Sequence, residues 1–591
     1  MKNKILSSII VAAIASLLFY ACKDSFLEQL PQGVYDQASL TNKKGIEGML
    51  INAYATLDGP EGSWYAGASN WVWGSVLGGD AYKGSEPTDQ VDVNPVNRYD
   101  IQPSNPIVLA KWDACYDGIG QANQVLKILP EVKDIDDKER LQIEAEARFL
   151  RAHHHFEAKK VFNNVPYVDE NVTDYKSLTN IEGSGYTNIW PQIEADLQFA
   201  YDNLDAVREN VGRVNKWAAA CYLAKAYMFQ SKFSEAKALF DQIIANGVTS
   251  KGLKYGLADS YHANFRVLSE NNEETIFSIQ ASYGDGSNTN GNYDNTLNYP
   301  HSPSTPGAGC CGFFQPSQNL VNSYRTDNTG LPLISTYNDE SVTSDEALTS
   351  SDPFTPYQGA VDPRLDWSVG RRGIPYQDWG LHPGRNWIRD VDYGGPYSPK
   401  KNVFYQSDIG STADAVGWGW NNVALNYTIM RFADVLLLAA EAEVEVGSLE
   451  KAREYVNIVR ERAGHYAPSI TPGGPSGEYA ISPPSSPYAN YVVGIYAATW
   501  TDKNKARDAV RFERKLELSM EGHRFFDLVR WGIAAEVINN EYLPKEKTRR
   551  VELLGGASFE KGKDEYLPIP DYAITQSIVN GQPMLKQNPG Y

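Results

Sequence analysis

Two stretches of the chain repeat one helical pattern, and that pattern limits what the rest can be. In residues 217–244 the small residues Ala224 and Ala236 alternate with the large Leu223, Tyr227 and Phe240 at helical spacing. Small residues let two helices approach closely, and large ones fill the gap between them. A second copy places Ala439, Ala440, Ala452 and Val456 around a turn at Gly447. The expectation is a mainly α scaffold of paired helices.

This alternation matches a tetratricopeptide repeat. Two such units cannot form an independent solenoid, so they must pack on other helices. Candidates are Asn42 to Leu57, Trp112 to Leu129, Lys138 to Phe162 and Asn188 to Leu204, with apolar residues at helical spacing. The pattern stops at Pro130 and at Asn163-Asn164-Val165-Pro166. The chain from about 245 to 425 is rich in Gly, Asn, Pro, Ser and Tyr, with short strand-like pieces such as Glu274 to Gln280, and 281–425 is its loop-rich part. Helices are expected over 426–462 and, after a Pro/Gly/Ser-rich insert from Ser469 to Tyr491, over 505–531. Long ordered loops on a rigid scaffold commonly carry binding.

Lys2 and Lys4 precede an apolar run from Ile5 to Ala21, followed by Cys22. A basic start, apolar core and small residue before a cut describe a secretory signal. The run is shorter than the roughly 20 residues a bilayer span prefers. Phe19-Tyr20-Ala21-Cys22 looks like a lipobox, with Cys22 acylated and holding a soluble body on a membrane. Residues 1–21 are then signal and 22–36 a tether. The formal charge of −19 includes two signal lysines, so the mature chain carries −21. Such a body does not suit nucleic acid, whose binding depends on basic contacts to phosphate. Cys115, Cys221, Cys310 and Cys311 are too few for a disulfide scaffold.

No HExxH, phosphate-loop or GxSxG motif occurs. His153-His154-His155 are consecutive, so on a helix they point about 100° apart and cannot converge on one metal ion. No cofactor is expected. The better candidates are aromatic, because flat rings offer stacking surface at little entropic cost. Trp64, Tyr65, Trp71, Trp73 and Tyr82 lie among glycines, with Asp80 between them. The Trp71-Val72-Trp73 alternation equally fits a strand with both rings buried. Tyr283, Tyr293 and Tyr299 interleave with Asn288, Asn290, Asn292 and Asp294. Trp367, Tyr376, Trp379 and Trp387 form a third group near Arg372, Asp378 and Arg385. Rings beside amides and carboxylates suit a sugar, with its apolar faces and hydroxyl edges. The expected ligand contacts are Trp73, Asp80, Tyr82, Tyr283, Tyr293, Trp379 and Trp387, with about half of the aromatics packing instead.

Several further segments resemble the SusD/RagB family of outer-membrane nutrient-binding lipoproteins. Cys22-Lys23-Asp24-Ser25-Phe26-Leu27-Glu28 is similar to its mature start, and Arg431-Phe432-Ala433-Asp434-Val435-Leu436-Leu437-Leu438 to its central repeat helix. Glu513-Arg514-Lys515-Leu516-Glu517-Leu518, then Glu521-Gly522-His523-Arg524-Phe525-Phe526-Asp527-Leu528, resembles its most specific block. Leu567-Pro568-Ile569-Pro570 and Gln587-Asn588-Pro589-Gly590-Tyr591 resemble its ending. The resemblance implies an N-terminal helical region over 37–260 and a C-terminal region over 261–591. It also implies surface exposure, no catalysis, and delivery of oligosaccharide to a SusC-like TonB-dependent barrel transporter. A peptide-binding member of the family, or a surface-anchored glycosidase, stays open, since a glycosidase needs only two carboxylates. From the residues alone, Glu513, Glu517 and Glu521 lie four apart and would repel on one helix. Their partners must come from elsewhere, Arg431 among them, and Gly522 is expected to break the helix.

Overall fold

A computed structural model describes residues 40–60, 63–285, 291–302, 306, 310–413, 423–483 and 486–591. The signal, Cys22 and the tether lie outside the described residues. Ten longer helices build the scaffold: α1 Lys43–Ala55, α2 Pro106–Ile128, α3 Asp137–Phe162, α4 Trp190–Asn203, α5 Lys216–Phe229, α6 Phe233–Asn246, α7 Phe432–Val446, α8 Leu449–Ala463, α9 Lys503–Glu517 and α10 Arg524–Arg530. Six of the ten begin at a side-chain cap. Asp136 accepts from Glu139 N at 2.8 Å, and Asn215 from Ala218 N at 2.8 Å. Each satisfies a backbone donor that the first turn leaves free.

Helices α1 to α6 pack each against the next, and α6 packs on α7, which carries α8 and α9. The two repeat-like pairs, far apart in sequence, are therefore neighbours in one helical layer. Leu223, Ala224, Ala236 and Phe240 are buried in the first pair, and Ala439, Ala440, Ala452 and Val456 in the second. Tyr227 departs from the expected core knob. Its ring is only half-buried, with Lys232 Nζ 5.6 Å from the centroid. Tyr227→Ala is accordingly expected to cost roughly 2 kcal/mol, about half the range for a fully buried ring; thermal melting measures it, and a loss as large as that of Phe240→Ala would contradict the half-buried placement.

The strands are short: β1 Ala81–Gly84, β2 Thr275–Ile279, β3 Phe313–Pro316 and β4 Tyr427–Arg431. The start of the stretch read as helix, 427–431, is β4 instead, antiparallel to β2, and α7 begins at its end. Tyr427, Thr428 and Ile429 suit a pleated surface better than a helix.

A buried ion network ties these strands to the scaffold. Glu513 meets Arg364 and Arg460 at 2.7 Å each, and Glu517 meets Arg364 at 2.8 Å. Arg431 reaches Glu274 at 2.7 Å, Glu517 at 2.5 Å and Glu521 at 2.8 Å. Arg462 pairs with Glu274 and Glu517. The row of like charges is thus stabilised by four guanidiniums from three other segments. Helix α9 ends at Glu517, and Gly522 takes φ +75°, so the break falls just beyond it.

The three histidines are buried and diverge. His154 Nε2 lies 3.1 Å from Thr56 Oγ1, while His153 packs on Tyr222. His155 donates from Nδ1 to Arg151 O and accepts Val168 N–H at Nε2. Burial pushes the His153 pKa down to about 4. Among the described residues no group of three His, Cys, Asp or Glu side chains is placed to hold a metal, and no helix is long and apolar enough to cross a membrane.

Candidate functional site

The three aromatic segments meet, but not through the rings expected to bind. Trp73 is fully buried and donates Nε1–H to Tyr65 O at 2.7 Å. Tyr82 is fully buried, its hydroxyl on Glu546. Asp80 is buried, accepts from Met520 N at 3.3 Å, and has its pKa lifted to about 6 by desolvation. None of the three offers a surface to a ligand. The glycines explain it. Residues 71–76 form a π-helical turn. A Cβ on Gly74 would sit 1.8 Å from Gly522 O, and one on Gly78 2.8 Å from Arg524 Cβ. Glycine here permits close packing rather than an exposed turn.

In the second segment Tyr299 is buried against Phe404, with ring centroids 5.6 Å apart. Asp294 is buried and accepts from Gly67 N at 3.2 Å and Ser69 N at 3.1 Å. Asn292 donates to Leu425 O at 2.9 Å. These polar groups fasten loops to one another. Tyr283 is half-buried. Tyr293 opens a 3-10 turn, Tyr293–Asn295; its side chain, with Asn288 and Asn290, lies outside what is described.

In the third segment Trp367 stacks on His262 at 4.5 Å and Tyr376 is fully buried. Trp387, expected at the ligand, is also packing: it is buried edge-to-face on Tyr376 at 5.4 Å. Arg372 is spent on the carbonyls of Thr349, Ser350 and Asp352. Trp379 differs. It sits at the tip of a hairpin whose sides bridge at Pro375 and Leu381, with Gln377 at φ 53° and Gly380 at φ +88°. Its indole N–H donates to Phe404 O at 3.1 Å, and Asp378 accepts from Gln406 N and Ser407 N at 2.6 and 2.8 Å. These bonds fix the tip while the ring stays half-exposed.

Backbone pairing locks the segments together. β1 and β3 are antiparallel, with Gly84 opposite Phe313. Ser85 N donates to Gly312 O at 2.5 Å, Gly312 N to Tyr299 O at 2.9 Å, and His301 N to Trp387 O at 3.0 Å. Arg389 closes the junction, reaching Ser85 Oγ at 3.0 Å, Glu86 at 2.8 Å and Asp89 at 2.5 Å. Cys310 and Cys311, beside Gly312, are bonded to each other. Burial, then Arg389, holds the His301 pKa below its usual value, which favours the neutral ring. The loop side thus offers a half-exposed indole at a fixed hairpin tip and, at the strand junction, an imidazole beside a fixed carboxylate–guanidinium cluster. It can stack an apolar face and hydrogen-bond polar edges. Sequence reasoning missed Glu86, Asp89, His301 and Arg389. Each is a single polar residue in a loop, and their proximity comes from strand pairing that no spacing reveals.

Residues 273–591, more than half of the chain, match the family model described as the SusD family. The chain belongs to the SusD family. Residues 46–228 also match a model described as starch-binding associating with outer membrane. SusD-like protein P2 of Formosa agariphila is 24% identical over 516 residues, covering 84% of this chain and 83% of the relative. A SusD superfamily structure from Bacteroides vulgatus superposes with a TM-score of 0.67 at 20% identity, covering 93% of this chain and 99% of that one. Surface glycan-binding protein A from Bacteroides thetaiotaomicron, solved with laminarihexaose, gives 0.59 at 20% identity, covering 93% and 100%. These likenesses establish the mainly α, tetratricopeptide-like SusD fold.

Proposed function

We propose that this SusD-family chain captures a polysaccharide or oligosaccharide on its loop-side surface, without cleaving it, and hands it to a TonB-dependent outer-membrane transporter. The observation that carries the reading is the locked junction of three loop segments, the third of which holds the half-exposed Trp379 at a hairpin tip fixed by its bonds to Phe404, Gln406 and Ser407. Relatives of the same fold include a laminarin-binding SusD-like protein and the laminarihexaose complex above, which supports a glycan as the ligand. Trp379 and Tyr283 are the proposed stacking rings.

A glycan array paired with a product assay on the same sugars tests capture against cleavage. Released product from purified protein would sink the non-catalytic reading, and binding of peptides alone would sink the glycan. Sugar hydroxyls exchange water for protein partners at little net gain. Stacking should therefore dominate, and Trp379→Ala is expected to cost about 1–3 kcal/mol in calorimetry, the range for base–aromatic stacking, with the wild-type melting temperature kept. Trp73→Ala should instead lower that temperature.

The same proposal anchors the protein by a lipid on Cys22. In mild-detergent extracts of its host it should co-purify with a large barrel transporter. Cys22→Ala should move it to the soluble fraction; unchanged membrane retention would contradict the lipid.

A further inference from the structure

The loop 492–502 is held with unusual rigidity for a surface segment. Asn457 of α8 clamps Tyr496 from both sides, accepting from its N–H at 2.8 Å and donating to its carbonyl at 3.0 Å. Arg453 donates to the same carbonyl. Arg460, fully buried, donates to Gly494 O and Gly330 O at 2.6 Å each and pairs with Glu513 at 2.7 Å. What this scaffolding presents outward is an aromatic pair. Tyr496 and Trp500 stand edge-to-face, 5.2 Å apart at 73°. Trp500 is half-buried.

The two rings wall a groove of about 530 Å³. The small residues Ala506 and Ala509 of α9 leave its floor open, and Ser335, Thr499 and Asp508 supply polar groups at its rim. It shares no lining residue with the loop-side surface described above. The volume falls within the roughly 300–1,000 Å³ of small-molecule sites. Pre-ordering the rings removes a cost that a ligand would otherwise bear on binding.

We propose that this groove is a second glycan-binding site, taking a short neutral oligosaccharide with one sugar face on Trp500 and hydroxyl edges toward Ser335, Thr499 and Asp508. The choice of sugar rests on the glycan reading of the family fold. The groove itself argues for it as well. Its wall pairs aromatic rings with hydroxyl and carboxylate groups, which complement the C–H faces and hydroxyl edges of a sugar. The charged lining residues Asp502, Lys505 and Asp508, all exposed, sum to one negative charge, so a phosphorylated or other anionic ligand gains nothing. Residues 495–501 form no strand, so no ladder edge is offered to an extended peptide.

The test uses the full mature chain labelled with 5-fluorotryptophan. The fluorine resonances missing from Trp500→Ala and from Trp379→Ala identify the two rings. Laminarihexaose and maltohexaose are titrated as probes. The expected result is a saturable shift of the Trp500 resonance that persists in Trp379→Ala. Ala498→Arg, a change at an exposed position in the groove, should abolish that shift and leave the melting temperature and the Trp379 response intact. If the Trp379 resonance responds and that of Trp500 does not, the second site is overturned and the loop-side reading stands. If neither responds to either sugar, both fall. If Trp500 responds to a tryptic peptide mixture and to neither sugar, the groove is a peptide site and this assignment is wrong.

Discussion

Arg431→Ala is expected to destabilise the protein by about 3–5 kcal/mol, the usual cost of removing one partner from a buried ion pair. The guanidinium is buried and uses three nitrogens. Nε faces Glu521, Nη1 faces Glu274 and Glu517, and Nη2 reaches Glu517 O at 2.7 Å. Its loss leaves Glu521 with Lys401, Glu274 with Arg462, and Glu517 with Arg462 and Arg364. Arg431→Lys should recover little, because a single ammonium cannot replace a planar fork. The pH dependence has a definite sign. Burial alone would raise the pKa of Glu517, but Arg462, Arg431 and Arg364 override it and hold the carboxyl well below its usual range. Burial likewise opposes, and Arg431 and Lys401 outweigh it, at Glu521. A depressed folded-state pKa contributes stability that is present above the unfolded value, about 4.3, and is lost as pH falls through the folded one. In Arg431→Ala the same carboxyls are easier to protonate. The gap between wild type and variant in urea unfolding should therefore be widest near neutrality and narrow toward about pH 4. A gap that is constant with pH would mean that packing of the side chain, not its charge, carries the loss.

That network was legible in the chain because like charges four apart on a helix demand partners, and Arg431 stood in a segment that had to lie nearby. Helix positions were legible for the same kind of reason. Ala224, Ala236, Ala440 and Ala452 mark close pairs, and Pro130 and Asn163-Asn164-Val165-Pro166 mark stops. The candidate site was far less so. Glycine beside tryptophan has two physical meanings, an exposed turn or a close backbone approach, and composition does not separate them. At Trp73 the second holds; at Trp379, next to Gly380, the first does. The difference lies in what faces each glycine. Gly74 meets Gly522 O, whereas nothing lies within 4 Å of a Cβ on Gly380. Such information comes from segments hundreds of residues away. The same applies to Arg389, whose carboxylate partners lie about 300 positions earlier in the chain. Tyr227 shows a third limit. A repeat pattern names the residue type at a position but not whether the next helix reaches far enough to cover it.

The close approach at Gly522 leads to the other large effect. Gly522 holds φ +75°, and a Cβ there would lie 2.1 Å from Ser69 O and 3.2 Å from Asn70 Cβ. In the other direction Gly522 O leaves no room for a side chain on Gly74. Gly522 N also donates to Ser75 Oγ at 3.0 Å, and the Tyr427 hydroxyl lies 3.1 Å from Ser69 O and 3.2 Å from Glu521 O. The 69–76 turn, the junction between α9 and α10, and β4 are therefore joined at one backbone contact. Gly522→Ala should combine the left-handed penalty, about 1–2 kcal/mol, with an overlap that neither backbone can relieve alone, for a total of at least about 3 kcal/mol. Gly532→Ala separates the two terms. Gly532 has φ +71° with nothing within 4 Å of its Cβ position, so it should show the left-handed penalty by itself. Gly522→Asn should not rescue, since asparagine tolerates the backbone angle but not the overlap. Equal melting temperatures for Gly522→Ala and Gly532→Ala would refute the close approach. The 69–76 turn leads directly into β1 and on to Ser85, Glu86 and Asp89. A displaced turn should therefore also weaken glycan capture on the loop side while leaving the Trp500 groove, built on α8 and α9, responsive.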